Sequence, residues 1–355
     1  MAEQNNPDNK YGFVKKVWIV GLIFSLIAVI LLIFEATFNI LILVLAGALI
    51  ACFFRGISAF IQRKTHWAPW ITLTISIIVS FLIIAGMFFL VGAKVTSDSA
   101  NIQERLPDMI NEVKVQLKKS GVGRKIIAQA NSIKSSKQFS SFISTFFKTT
   151  FGGIANIYIV VLLGIFFTIG PQIYSNGIMQ LVPPRKRKKA DGLINHIGSS
   201  LKKWLAGKFI AMAAVFVLTA IGLIILDVPM WLTLSIIAGL LNFIPNFGPL
   251  VAAVPAILVG FSQSPMMALI IAALYLFVQV FESSFITPQA QQKLVKIPPA
   301  LIILAQVFVG ALTGIWGVIF ATPLLLIIII VIQELYTEPM NRKSEMNSEK
   351  LNSEN

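Results

Sequence analysis

Glu282 is the residue in this chain best placed to do chemistry. It closes a stretch, residues 228–281, that holds no Asp, Glu, Lys or Arg, and Gln279 stands three residues before it. A carboxylate near a membrane centre costs about 2.5–3.5 kcal/mol and usually faces a polar interior. There it can carry a proton or a monovalent cation. The plainer alternative is an interfacial position, solvated or capping the Ser283-Ser284 turn. Asn242 and Asn246 flank Pro245 and supply amide groups where a proline interrupts backbone hydrogen bonding; they either meet a solute or satisfy the turn itself. Gly248, Gly314 and Gly317 permit close approach or positive φ, or else serve helix packing. With Pro249, Thr287, Pro288, Gln306 and Pro323, these residues form the candidate pathway for a substrate or ion.

Other chemistries lack their residues. A single cysteine, Cys52, allows no internal disulfide and no thiolate metal cage. The two histidines, His66 and His196, lie far apart in basic surroundings, so neither a metal site nor a cofactor is expected. There is no HExxH, no Ser/His/Asp grouping and no pair of carboxylates within a core helix, so the chain does not read as an enzyme. No Gly-x-x-x-x-Gly-Lys-Ser/Thr loop is present, which argues against nucleotide-driven pumping.

The elements that position the candidate residues follow from composition. Of 355 residues, 56% are hydrophobic and 12% charged, and the mean hydropathy is +0.83; a soluble domain carries roughly 25% charged residues. The expected fold is an all-α, polytopic membrane helical bundle. About 20 helical residues cross a bilayer core of about 30 Å. Residues 17–34, 38–54, 71–93, 151–170, 209–226 and 266–281 are predicted spans. The first two are separated only by Glu35, Ala36 and Thr37 and read as a helical hairpin.

Lys and Arg bias sets direction. Lys10, Lys15 and Lys16 precede the first span, Arg55, Arg63 and Lys64 follow the second, and residues 174–208 carry eight basic residues against Asp191. Cytoplasmic N- and C-termini are therefore expected, against the pull of ten basic residues in the opposite loop. The resulting organisation is a cytoplasmic N-terminus (1–16), three spans (17–93), an extracytoplasmic amphipathic helical region (94–148) and a fourth span (149–173). A basic cytoplasmic loop (174–208), a transport core (209–332) and a polar cytoplasmic tail (333–355) follow. Region 94–148 reads as two amphipathic helices packed on each other or on the membrane, or as a ligand-binding cap. The run Arg185-Lys186-Arg187-Lys188-Lys189 reads as a topology determinant contacting anionic lipid, with no nucleic-acid partner. Lys208, ahead of the fifth span, reads as a snorkelling anchor.

The apolar runs of the C-terminal half are interrupted. Residues 230–244 and 250–261 are short and separated by Pro245-Asn246-Phe247-Gly248-Pro249; residues 300–312 and 318–332 repeat the shape, with Pro323 inside the last. The two units align at an offset of 69: Pro229 with Pro298, Leu232 with Leu301, Phe247 with Trp316, Gly248 with Gly317, Ala252 with Ala321. Two broken or re-entrant helical hairpins are expected. Interrupted segments at corresponding positions point to a transporter's substrate site.

The motifs that carry these breaks resemble a known family. Phe243 to Pro249, Glu282-Ser283-Ser284-Phe285-Ile286-Thr287-Pro288, Ile297-Pro298-Pro299-Ala300-Leu301, Gly310 to Gly317 and Ala321-Thr322-Pro323-Leu324 together resemble the AI-2E family of bacterial transporters. The resemblance covers essentially the whole chain in layout. It departs after the hairpin proline, where many relatives carry Tyr and this chain has Asn246 followed by Phe247, and at Gln289, where relatives often carry Lys. It implies an inner-membrane secondary transporter exporting a small polar solute such as the quorum-sensing signal autoinducer-2, and a homo-oligomer, pentameric in relatives. A proton-coupled carrier, a Na+(Li+)/H+ antiporter and a passive oligomeric pore are the readings left open.

Overall fold

The computed structural model describes residues 7–83, 85–86, 154–290, 297–337 and 340. All regular elements among them are helical. In chain order they are α1 (Pro7–Thr65), α2 (Pro69–Ile83), α3 (Ile154–Ile169), α4 (Pro171–Gln180), α5 (Arg187–Ile225), α6 (Trp231–Leu241), α7 (Phe247–Gln263), α8 (Pro265–Phe281), α9 (Thr287–Ala290), α10 (Pro299–Thr313) and α11 (Ile315–Ile332). A π-helical turn, Glu282–Ile286, joins α8 to α9, and another, Gln333–Thr337, extends α11. Four of these helices are long and apolar enough to cross a membrane, and the bent pair α3–α4 would make a fifth. The expected all-α polytopic bundle is the fold observed. The expected amphipathic region 94–148, and the tail beyond 340, lie outside the described residues.

Three local expectations are corrected. The helical hairpin at Glu35, Ala36 and Thr37 is not formed: α1 runs through all three without a break. Glu and Ala are strong helix formers, and one charge lowers hydropathy without disturbing the hydrogen-bond ladder. The basic loop 174–208 is instead almost wholly helical, and the fifth span continues its last part, because α5 starts at Arg187 and runs unbroken to Ile225. Lys and Arg are good helix formers too, so a charge run marks a solvated face rather than a break. Residues 333–337, placed in the polar tail, prolong the last helix.

Elsewhere the breaks occur where the residue types demand them. α3 ends at Gly170 and Pro171, and Arg55 of α1 donates from Nε to the Thr168 carbonyl at 3.0 Å. That bond satisfies a carbonyl left orphaned at the helix end and places a cation at its negative pole. α3 lies along the second half of α1 at very close range, since a Cβ added to Gly164 would come within 2.5 Å of Ile50 and one on Gly47 within 2.8 Å of Leu163. Small residues at a crossing are what let helices pack in lipid, where hydrophobic attraction between them is absent.

Two apolar cores result. One joins α1, α3, the first half of α5 and α11 through Ile42, Leu49, Val160, Trp204, Phe320 and Leu326. The other joins the second half of α5 to α6, α7 and α8 through Leu223, Leu234, Ala252, Ala256 and Ile271. The edge-to-face contact of Trp204 with Phe243, at 5.9 Å between centroids, links the first core to the α6–α7 turn.

The interrupted hairpins are present. Shifting Trp231–Leu241 and Phe247–Gln263 by 69 residues gives 300–310 and 316–332, against the observed Pro299–Thr313 and Ile315–Ile332. Each turns back sharply: the Cα of Gly248 lies against the Leu241 carbonyl, and that of Gly317 against the Val309 carbonyl. The second hairpin is asymmetric, however, because α11 with its π turn, Ile315–Thr337, is itself long enough to span.

Candidate functional site

The first hairpin's turn is strained at its tip. Asn246 has φ 65° and ψ −54°, and the Phe247 N–H donates to the Pro245 carbonyl at 2.8 Å. This is a γ-turn of the rare positive-φ kind. Asn tolerates positive φ better than most side chains, and backbone held in such a region marks functional sites often enough to warrant attention. The same Pro245 carbonyl accepts a second hydrogen bond, from Gln306 Nε2 of α10 at 2.9 Å. Gln306 is fully buried and belongs to the second hairpin, so this bond ties the two repeats together at the break in one of them.

Unspent hydrogen-bonding capacity lies in the same half of the chain. Asn242 caps the C-terminus of α6 and is buried, with its Nδ2 unpartnered; Gln306 keeps an unpartnered Oε1. The two other buried side-chain atoms without partners among the described residues are Thr219 Oγ1 on α5 and Thr322 Oγ1 on α11. All four fall within residues 219–322. Pro323, next to Thr322 and buried inside α11, withholds one further backbone donor. A buried donor or acceptor left unmade costs about 1–3 kcal/mol, so the interrupted half holds polar groups at a standing cost in stability.

A second cluster centres on Glu282, which is buried. It is not solvated, and its side-chain bond goes to Thr287 rather than to Ser283 or Ser284, because α8 continues past it into the π turn. In an α-helix, residues five apart point about 140° away from each other. The π turn brings them together: the Thr287 N–H donates to the Glu282 carbonyl, and Thr287 Oγ1 donates to Glu282 Oε1 at 2.5 Å. π turns within helices recur at functional sites. The turn packs on α5, which carries Lys208. Lys208 is buried and within electrostatic reach of Glu282, not snorkelling to an interface. Helix continuity is the reason: Lys208 shares the buried stripe of Trp204, Ala211 and Val215 on α5. That spacing was readable as one helical face, and it was the available signal for a residue whose role sequence reasoning missed.

The remaining candidates divide between these places. Gly248 and Gly317 are buried at the two close approaches, and Pro249 is half-buried in the first turn of α7. Gly314, with φ 65°, is the exposed tip of the second hairpin, as Asn246 is of the first. Gln279 is half-buried one turn before Glu282, while Pro288 is exposed.

Comparison with known proteins decides the family. A family model described as "AI-2E family transporter" matches residues 22–337. The chain belongs to this family. Among curated proteins, "Putative transport protein YrrI" of Bacillus subtilis is 27% identical over 53% of the chain and 55% of its own length. "Putative transport protein YueF" of the same organism is 24% identical over 70% of the chain and 73% of its length. "Putative permease PerM" of Escherichia coli K12 is 25% identical over 48% and 49%. The chain thus spans about half the length of YrrI and PerM. The matched residues, 22–337, include both hairpins, the γ-turn and the Glu282 π turn. A transporter family, several apolar helices and buried polar groups in the broken-helix half agree with one another.

Gln306→Leu tests the bond between the hairpins. It removes one donor to the Pro245 carbonyl but leaves the γ-turn bond in place, so a loss of about 1–3 kcal/mol is expected. Thermal unfolding of the purified chain in detergent measures it, and an unchanged midpoint would show that the bond contributes nothing.

Proposed function

We propose that the chain is a secondary carrier of the bacterial inner membrane that exports a small polar solute, such as autoinducer-2, in exchange for protons. One observation carries this reading. The Gln306–Pro245 bond joins two interrupted hairpins, and Asn242 Nδ2, three residues before Pro245, and Oε1 of Gln306 itself remain buried and unpaired. A donor and an acceptor suit a neutral solute bearing hydroxyl and carbonyl groups, and a site between interrupted repeats suits alternating access. Both termini are cytoplasmic. His196, on the basic part of α5, is hydrogen-bonded to Glu334 beyond α11, which supports a shared side for the C-terminal end and the basic residues. The working unit is a homo-oligomer, a pentamer by resemblance.

Everted vesicles from cells overproducing the chain test the proposal. Labelled autoinducer-2 is expected to accumulate, and an uncoupler to abolish accumulation. Uptake that survives the uncoupler would overturn proton coupling, and flux that merely equilibrates would indicate a pore.

Glu282 favours a second reading, Na+(Li+)/H+ antiport. Its carboxylate and the Thr287 hydroxyl put two oxygen atoms together in a buried setting, which suits a small hard cation. Dequenching of a pH-sensitive dye on sodium or lithium addition, absent in Glu282→Gln, would select this reading over solute export.

A further inference from the structure

The turn at Gly170–Pro171 swings the chain through 86° between α3 and α4. α3 packs along the part of α1, Thr37–Thr65, that is long and apolar enough to cross a membrane. A helix leaving α3 at nearly a right angle is therefore set crosswise to that span. α4 has no buried residue. Its side chains, with the capping Leu181, are nonetheless largely sorted: Ile173, Tyr174, Ile178 and Leu181 share one arc of the helical wheel, while Gln172, Ser175, Asn176 and Gln180 share the other, with Met179 the one large apolar residue among them. The apolar arc is exposed, 74% at Ile173 and 86% at Leu181. Water alone gives no reason for such an arc to stay uncovered.

The charge beside it indicates the cover. Arg185, Lys186, Arg187, Lys188 and Lys189 begin five residues after the end of α4 and are all exposed, and Arg187 Nε is tied to the Val182 carbonyl at 3.2 Å. That bond holds the basic run against the end of α4. Arg55 of α1 is bonded at the corner itself. Apolar side chains on one arc, a basic run beside them and a right-angled exit from a span are the features of a helix lying in the headgroup layer.

We propose that α4 is an interfacial helix whose apolar arc enters the boundary of the bilayer while residues 185–189 bind anionic lipid headgroups. The occupant is the membrane surface that surrounds the chain. The inference is independent of what the protein carries.

Cys52 is the one native cysteine, so a Cys52→Ser background allows single spin labels on the full chain. Ile178→Cys and Asn176→Cys would be labelled and reconstituted in phosphatidylcholine vesicles with or without phosphatidylglycerol. In anionic vesicles the label at 178 is expected to favour oxygen over a water-soluble nickel chelate by about five-fold or more, with 176 reversed. Omitting phosphatidylglycerol is expected to reduce the contrast between the two positions at least about two-fold. Equal nickel accessibility at 178 and 176 would overturn the proposal. So would dipolar broadening between labels at 178, which would mean that a second copy covers the arc. A contrast indifferent to phosphatidylglycerol would overturn the anionic-lipid part. The lipid exchange requires no change to residues 185–189, so folding and insertion do not confound it.

Discussion

Gly248→Ala is expected to destabilise the protein by about 3 kcal/mol or more and to abolish transport. A Cβ at this position would lie 1.8 Å from the Leu241 carbonyl oxygen and 2.6 Å from its carbon. Backbone, not a flexible side-chain end, is in the way. Overpacking a tight site commonly costs about 1–3 kcal/mol, and here relief requires the α6–α7 hairpin to open. Opening it would also move Pro245 away from Gln306 and break the bond that joins the two repeats. Gly317→Ala is expected to act similarly, since its Cβ would meet Thr313 Oγ1 at 2.2 Å and the Val309 carbonyl oxygen at 2.3 Å. Gly192 and Gly198, on the basic part of α5, have nothing within 4 Å of an added Cβ. Alanine there should be neutral or stabilising by up to about 1 kcal/mol, the helix-propensity difference. Thermal unfolding in detergent, with vesicle transport on the same samples, separates the two groups. Equal midpoints for Gly248→Ala and Gly192→Ala would disprove the close approach.

The second large effect concerns Lys208 and Glu282. Both are buried, and their attraction acts over a distance longer than a direct ion pair, so removing either charge withdraws support from the other. Lys208→Met and Glu282→Gln are each expected to lower the unfolding midpoint, and the double variant to cost less than the sum of the two. That non-additivity is the signature of coupling between the sites. Transport should follow a different pattern. If Glu282 handles protons or cations, the double variant recovers stability while transport stays lost. Recovery of both would make the pair a structural support only, and additive costs would show that the two charges do not sense each other. Thr287→Val separates Thr287 from Lys208: it removes the hydroxyl bonded to Glu282 Oε1 at similar side-chain volume.

Much of this architecture was legible from the sequence where local chemistry dictates it. The breaks at Pro245–Pro249, at Gly314 and at Gly170–Pro171 follow from residues that withhold a donor or permit unusual φ. The near-coincidence of helix ends at an offset of 69 shows that the two hairpins follow the same local rules. Two of the corrections share one cause. Glu35 and the run 185–189 were read as interruptions because they are charged, yet charge alters solvation without preventing the α-helical ladder.

The sequence by itself determined an all-helical membrane chain and the places where its C-terminal helices must break, because apolar run length, proline and glycine act through the backbone within a few residues. Only the tertiary structure decided that Gln306 would reach a carbonyl 61 residues away, that Lys208 would be buried within reach of Glu282, and that a π turn would bring Thr287 round to the carboxylate. Those outcomes depend on which helix faces meet, and a facing residue leaves no mark in its neighbour's local sequence.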